Sequence, residues 1–276
     1  MSYSTISIER DGHLGVLSLD RPEALNALSR DMVNELRDFF WNLSDDRETR
    51  VVLLRANGRA FCAGLDLKEA SAQTQRQSSA ASQGDGRPNV PAALRQQRHI
   101  AEIIMLMRRA PQPIVAAVQG AAAGGGFALA LASDVRIAAQ STRMNAAFIR
   151  LGLSACDVGV SYFLPRLVGA SVASELLLTG DFIDADRALA TGLVSRVVPD
   201  AQLEDAAREL AGRMLRNSPL ALRLTKECLK FSIDAGSLES AIAMEDRNQV
   251  LTSTSQDFVE GVSAFLQKRD PIFEDR

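Results

Sequence analysis

Three consecutive glycines, Gly124, Gly125 and Gly126, open the small apolar run "GGGFALALASD", in which the first charged residue is Asp134. Glycine lets backbone approach a ligand closely and tolerates positive φ. The first turn of a helix carries free N–H groups and the positive end of the dipole. Such a stretch can hold an anion or a developing oxyanion with backbone alone, yet it supplies no acid, base or nucleophile. The same residues would also serve as a tight strand-to-helix turn. Neither GxGxxG nor GxxxxGK[ST] is present here, so the glycines match no dinucleotide fingerprint and no P-loop. A second small-residue turn, Ala63-Gly64-Leu65 in "GRAFCAGLDLKE", follows the strand-like "VVLLRA". By itself it reads as an ordinary loop; an N–H donor from it would complete a two-donor oxyanion hole.

Proton transfer must then come from elsewhere. Asp157, in "LGLSACDVGVSYFLPRLVG", lies between apolar stretches just before a helix. An apolar pocket would raise its pKa towards that of a useful base; as a bland alternative it would cap the helix. His99 is one of two histidines and falls on a helix, where a surface or core role is the ordinary one. Tyr162, five positions after Asp157, offers a hydroxyl or core packing. Asp134 reads as structural, and Lys68 and Glu69 as solvated. Cys62, Cys156 and Cys228 are widely spaced and form neither a metal-ligand set nor a disulfide framework. They read as reduced thiols, with Cys62 and Cys156 as small apolar fillers beside the two loops.

The elements that must position these groups follow from pattern. The 276 residues, 46% hydrophobic and 24% charged, are enough for one large domain with a buried core. A net charge of -3 gives no global case for nucleic acid or an anionic membrane. "MSYSTISIERDGHLGVLSLDRP" alternates like a strand and lacks a signal-peptide pattern, and no apolar run is long enough to span a bilayer. A soluble, cytoplasmic protein is expected. The same segment predicts a hairpin turning at Asp11-Gly12. "SRDMVNELRDFFWNLSDD" predicts an amphipathic helix capped by Ser29, and "ALRQQRHIAEIIMLMRRA" a helix stopped near Pro111 and Pro113. "RVVLLRAN", "PIVAAVQG" and "VRIAAQ" read as buried strands, and polar residues 71–91 as a mobile loop inside the domain. Alternating strands and helices imply an α/β core over 1–198, followed by a helical region over 199–276.

Taken together, "DRPEALNALS", "FCAGLDLKE", "GAAAGGGFALALASDVRIA", "LPRLVG", "LLLTGDFIDADRALATGLVSRVVP" and "EGVSAFLQKRDPIF" resemble the enoyl-CoA hydratase/isomerase (crotonase) superfamily. The resemblance runs in order over nearly the whole chain. It implies a ββα spiral core with a C-terminal helical trimerisation region, a homotrimer or dimer of trimers, and an acyl-CoA thioester as substrate. It implies no separate cofactor and no metal, coenzyme A being part of the substrate. The backbone N–H groups of Leu65 and Gly125 match the oxyanion-hole positions. Ala24, Ala63, Gly64, Asp66, Leu67 and Gly124 would line the substrate, with Phe265 and Lys268 reaching the CoA nucleotide from the C-terminal region.

The chain departs from the hydratases at two positions. Ala128 and Phe148, which would line the acyl pocket, stand where the resemblance implies catalytic glutamates. Hydration needs a base to activate water and an acid to protonate carbon, and neither residue does either. Some members carry an aspartate at the position of Asp157, so double-bond isomerisation by a single carboxylate is favoured over hydration. Two other readings stay open at this point. In one, Asp157 is a nucleophile on an aryl-CoA with His99 as base for hydrolysis, although no tryptophan lies near Phe148 and the one tryptophan is Trp41. In the other, the protein binds acyl-CoA without catalysis.

Overall fold

The computed structural model describes residues 3–72 and 89–275. β1 (Ile6–Asp11) and β2 (Leu14–Leu19) form the expected antiparallel hairpin, with Gly12 at φ 58 in the turn. β3 (Val51–Ala56) and β4 (Ile114–Val118) extend it in parallel. β5 (Ala121–Ala123) leaves this sheet, and β6 (Val135–Ala139) returns to it beside β4. β7 (Arg143–Asn145) and β8 (Ile183–Asp184) join β5 in a second sheet of order β5-β7-β8, and β9 (Arg196–Val198) completes the first as β1-β2-β3-β4-β6-β9. The short second sheet has no counterpart in the sequence reading. Two- and three-residue strands are too brief to show a period.

The central strands are apolar on both faces because both are covered. Leu17, Leu19, Val52 and Leu54 face the larger core, while Val16, Val51 and Leu53 face the other side, following the two-residue alternation of a strand. The larger core is closed by α1 (Arg30–Leu43), α2 (Val90–Arg109) and α3 (Gly125–Ala132). Ser29 caps α1 by accepting the Met32 N–H at 3.2 Å, and Met32, Val33, Leu36, Phe40 and Leu43 form its buried stripe. Burying a side chain the size of Phe40 contributes about 1.5–3 kcal/mol.

α4 (Val160–Val168), α5 (Ala170–Thr179) and α6 (Ala185–Ala190) connect the sheets. α7 (Leu203–Leu215) lies past residue 198 in the chain but packs on the main sheet through Leu203, Ala207 and Ala211. α8 (Pro219–Ser232), α9 (Leu238–Ser253) and α10 (Gln256–Gln267) finish the chain. Lys226 of α8 ties this helical region to the core: its ammonium lies 2.8 Å from Asp134 and donates to the Gln112 carbonyl at 2.7 Å. Burial pulls the Lys226 pKa down, against the pull of Asp134. Asp134 also accepts from Arg108 (3.0 Å) and the Ile114 N–H (2.8 Å), the structural role its sequence position suggested. No described helix is long and apolar enough to cross a membrane, and no group of three described His, Cys, Asp or Glu residues could hold a metal ion. Most of the polar stretch 71–91 lies outside the described residues.

Candidate active site

Two backbone bridges bring the small-residue turns together. Cys62 pairs with Ala122, its N–H donating to the Ala121 carbonyl (3.0 Å) and its carbonyl accepting from Ala123 (2.9 Å). Leu28 pairs with Leu65, donating to the Gly64 carbonyl (2.7 Å) and accepting from the Asp66 N–H (3.1 Å). A bridge of this kind engages the residues on either side of Leu65 and turns the amide of Leu65 away from Leu28. No described group accepts from the N–H of Leu65 or from that of Gly125, the first residue of α3. Two unpaired donors from adjoining loops are the components of an oxyanion hole.

Glycine is required where these loops touch. Gly64 has φ +94, and a Cβ on it would stand 2.8 Å from the Ala123 carbonyl oxygen. A Cβ on Gly126 would stand 2.2 Å from the Cys62 carbonyl oxygen. Behind the glycines, α3 is buried along its whole length. Its C-terminal end is compensated by Arg136 on β6, whose Nη1 donates to the Ser133 carbonyl at 2.6 Å and, at 3.4 Å, to those of Ala130 and Leu131. Burial lowers the Arg136 pKa to about 10, which leaves the guanidinium charged at neutral pH. The negative end of the helix is thus neutralised by a fixed cation, and the positive end at Gly125 is left open.

Ala128 is fully buried within α3. Phe148 packs its ring against the glycine turn, its Cε1 3.3 Å from the place of a Cβ on Gly124. Neither side chain carries a transferable proton. Asp157 does. Its Oδ1 accepts from the Gln97 amide (2.6 Å) and the Val158 N–H (2.7 Å), and no described donor reaches Oδ2. The half-buried carboxylate is held by amide donors instead of being enclosed in an apolar pocket. It does not cap α4: the N-cap is Gly159, and no side chain caps that helix. Val158, the next residue, has φ 40, a conformation that a β-branched side chain adopts at a cost.

A cavity of about 230 Å³ opens beside Leu65, between the start of α1, residues 65–70 and α2. Leu28, Val33, Asn34, Glu69, His99 and Ile100 are among its walls. His99 Nε2 lies 2.7 Å from Asn34 Oδ1 and 3.3 Å from Arg37 Nη1, and Arg37 pairs with Glu102. Burial, reinforced by the Arg37 charge, lowers the His99 pKa. Gln97 and His99 are two positions apart on α2, about 200° around the helix, so they leave it on opposite sides. Gln97 reaches Asp157 and His99 reaches α1. No described hydrogen bond joins His99 to Asp157. Asn34, Arg37 and Gln97 were not singled out in the sequence. Their signal was slight, a polar flank at helical spacing beside the apolar stripe of α1 and one amide on α2.

The segments expected to line coenzyme A are brought together. The Ala63 N–H donates to the Leu25 carbonyl (3.0 Å), and Arg21 pairs with Asp66 (3.2 Å), so the turn holding Ala24 abuts the 64–68 turn. Burial pushes the Asp66 pKa up, but the Glu69 N–H, Arg21 and the Lys68 N–H together hold it below the ordinary value. Asn26, at φ 54 and fully buried, fixes the first turn by donating to the Asn57 (2.8 Å) and Ala60 (2.9 Å) carbonyls. Leu67 is exposed beside it. Glu69 is not merely solvated: its Oε2 accepts the Arg30 N–H at 2.9 Å, steadying the first turn of α1.

Phe265, 83% exposed, and Lys268 lie at the end of α10 and do not line the cavity. Two further expectations need correction. Tyr162 neither packs in the core nor points a free hydroxyl at a site; it is exposed, and its hydroxyl donates to Asp234 beyond α8. Cys156 is exposed, not a buried filler, because its loop leaves only Ala155 and Val158 inside. Cys62 is buried as expected, and desolvation pushes its thiol up to about 12.

The sequence model of the enoyl-CoA hydratase/isomerase family matches residues 9–276. The chain is 38% identical over 277 residues to the probable enoyl-CoA hydratase EchA12 of Mycobacterium tuberculosis, covering 99% of this chain and 94% of that one. It is 34% identical over 260 residues to the 1,2-epoxyphenylacetyl-CoA isomerase of Escherichia coli, covering 93% of each. The crystal structure of an enoyl-CoA hydratase from Bacillus anthracis superposes with a TM-score of 0.89 at 33% identity, covering 99% of this chain and 100% of that one. Fold, paired glycine turns and whole-length similarity agree: the chain belongs to the enoyl-CoA hydratase/isomerase family and has the crotonase fold.

Proposed function

We propose that this enzyme forms a thioester enolate from an acyl-CoA and moves a double bond, without adding water. The observation that carries the reading is the pair of unpaired N–H donors, Leu65 and Gly125, next to Ala128 and Phe148, which carry no transferable proton and stand where the resemblance implies glutamates. In the proposed step, the Asp157 carboxylate takes a proton from a carbon of the acyl chain. The electron pair passes through the chain to the thioester oxygen, which the two N–H groups stabilise. The same half-buried carboxyl, which can exchange its proton with water, then returns a proton at the other end of the shifted double bond, so nothing is gained or lost overall. The open Oδ2 of Asp157 supports this role. Coenzyme A is the carrier part of the substrate, along the Ala24 and Gly64–Lys68 turns.

Self-association as a trimer, or a dimer of trimers, is part of the same reading. It is supported by the exposed apolar face of α10, where Phe258, Val259, Val262 and Leu266 lie at helical spacing.

The experiment is deuterium uptake from D2O into a panel of saturated and unsaturated acyl-CoA thioesters, read by mass spectrometry for wild type and Asp157→Asn. Label entering beside the thioester in wild type and lost in the variant is the expected result. Binding without label in wild type would favour a non-catalytic acyl-CoA binder. Label retained in Asp157→Asn would assign the proton to another group.

A further inference from the structure

The cavity beside Leu65 has two kinds of wall. Leu28, Val33, Leu65 and Ile100 give an apolar surface, and Asn34 and His99 interrupt it with polar groups. Leu28 also connects the cavity to the second donor, since its Cδ1 stands 2.6 Å from the place of a Cβ on Gly125. On the acyl-CoA reading, on which this inference rests, an acyl chain that enters the cavity from the donors meets His99.

The acids around this cavity are already engaged, Asp66 by Arg21 and Glu69 by the Arg30 N–H. His99 differs. Its Nε2 lies beside Asn34 Oδ1 and Arg37 Nη1, and its Nδ1 meets no described group. Burial and the neighbouring Arg37 and Arg30 charges favour the neutral ring, against Glu102. A neutral imidazole has one N–H and one lone pair. If Nε2 donates to Asn34 Oδ1, Nδ1 accepts and the donor Arg37 makes no hydrogen bond to the ring; if Nε2 accepts from Arg37, or from the Asn34 amide turned over, Nδ1 donates. A hydroxyl group satisfies either arrangement, because it both gives and accepts a hydrogen bond. A plain hydrocarbon satisfies neither and leaves a desolvated ring nitrogen unpaired, which is costly.

We propose that His99, oriented by Asn34, is a specificity-determining residue that recognises a hydroxyl group on the acyl chain of the thioester. The test compares Kd by calorimetry for hydroxyacyl-CoA thioesters, from short to medium chain length and with the hydroxyl at varied positions, each against the parent acyl-CoA of equal length. In wild type, one hydroxylated thioester should bind about tenfold tighter than its parent, the worth of one net hydrogen bond. In His99→Phe the ratio of the two Kd values should fall to about one. Asn34→Ala, which removes the group that orients the ring, should lower the ratio as well, and it serves if the first variant fails to fold. A wild-type ratio of one across the panel, or a ratio unchanged in both variants, overturns the proposal. Absence of binding by every thioester, parents included, removes the acyl-CoA reading itself.

Discussion

The peptide nitrogen of Gly125 lies 3.6 Å from the point where a Cβ on Gly64 would stand. Sixty-one positions apart in the chain, these two glycines let the Leu65 and Gly125 amides share one small volume. A side chain at Gly64 would press on the Ala123 carbonyl oxygen, and one at Gly125 on the Leu28 side chain.

Gly64→Ala therefore carries two costs, a left-handed φ and a methyl group driven towards the Ala123 carbonyl. Loss of the donor geometry should lower kcat/KM about 10²-fold or more, with destabilisation of about 1–3 kcal/mol. Gly152→Ala is the control: Gly152 also has positive φ, but a Cβ there meets nothing within 4 Å. It should cost stability alone, about 1 kcal/mol. Equal kinetic losses in the two variants would remove the argument from close approach.

Gln97 holds Asp157 by a single amide hydrogen bond from the exposed side of α2. Gln97→Leu should slow deuterium exchange about tenfold while leaving the melting temperature within a degree or so, since an exposed side chain contributes little to stability. An unchanged exchange rate would mean that the Val158 N–H alone orients the carboxylate.

Lys226 is 7% exposed and bridges the helical region to Asp134 and the Gln112 carbonyl. Lys226→Ala should destabilise by about 2–4 kcal/mol, because it opens space and leaves buried acceptors unpaired. Lys226→Met should cost less, since it fills the volume and Arg108 still neutralises Asp134. Denaturant titration of both variants checks the order, and a methionine variant no better than alanine would contradict it.

The depressed pKa of His99 has a consequence for stability against pH. Its value lies below the ordinary 6.5, through burial and then the Arg37 charge. Between the folded value and 6.5 the unfolded chain binds the extra proton, so stability is full above about pH 6.5 and declines as pH falls through that window. Thermal melting from pH 7.5 to pH 5 should show a smaller decline in His99→Gln than in wild type. Parallel curves would show that other groups account for the slope.

The exposed α10 face predicts the last outcome. Sedimentation of the wild type should give a multiple of the 29.8 kDa chain mass, and Leu266→Glu should shift it to the single-chain mass. A wild type that sediments as one chain would leave those apolar side chains without a partner of their own kind.

Much of this protein is fixed by local rules that a sequence displays directly. The hairpin at Asp11-Gly12, the Ser29 cap, the apolar stripe of α1 and the buried runs of β3 and β4 follow from turn chemistry and periodicity. The glycine turns were legible as places of close backbone approach, but the glycines by themselves read equally as a tight strand-to-helix turn, and only the resemblance pointed to a site. The absence of carboxylates at Ala128 and Phe148 was legible too, once the resemblance supplied the positions. What the sequence did not contain was proximity. That Leu28 turns the Leu65 amide outward, that Gln97 rather than a helix terminus holds Asp157, and that Asn34 and Arg37 flank His99 all depend on contacts between residues 37 to 65 positions apart. Such contacts are set by how α1, α2 and the sheet pack, and no local pattern records them. The tertiary structure decided the fate of Tyr162 and Cys156 for the same reason: exposure depends on which neighbours arrive, and one stretch of chain does not name its neighbours.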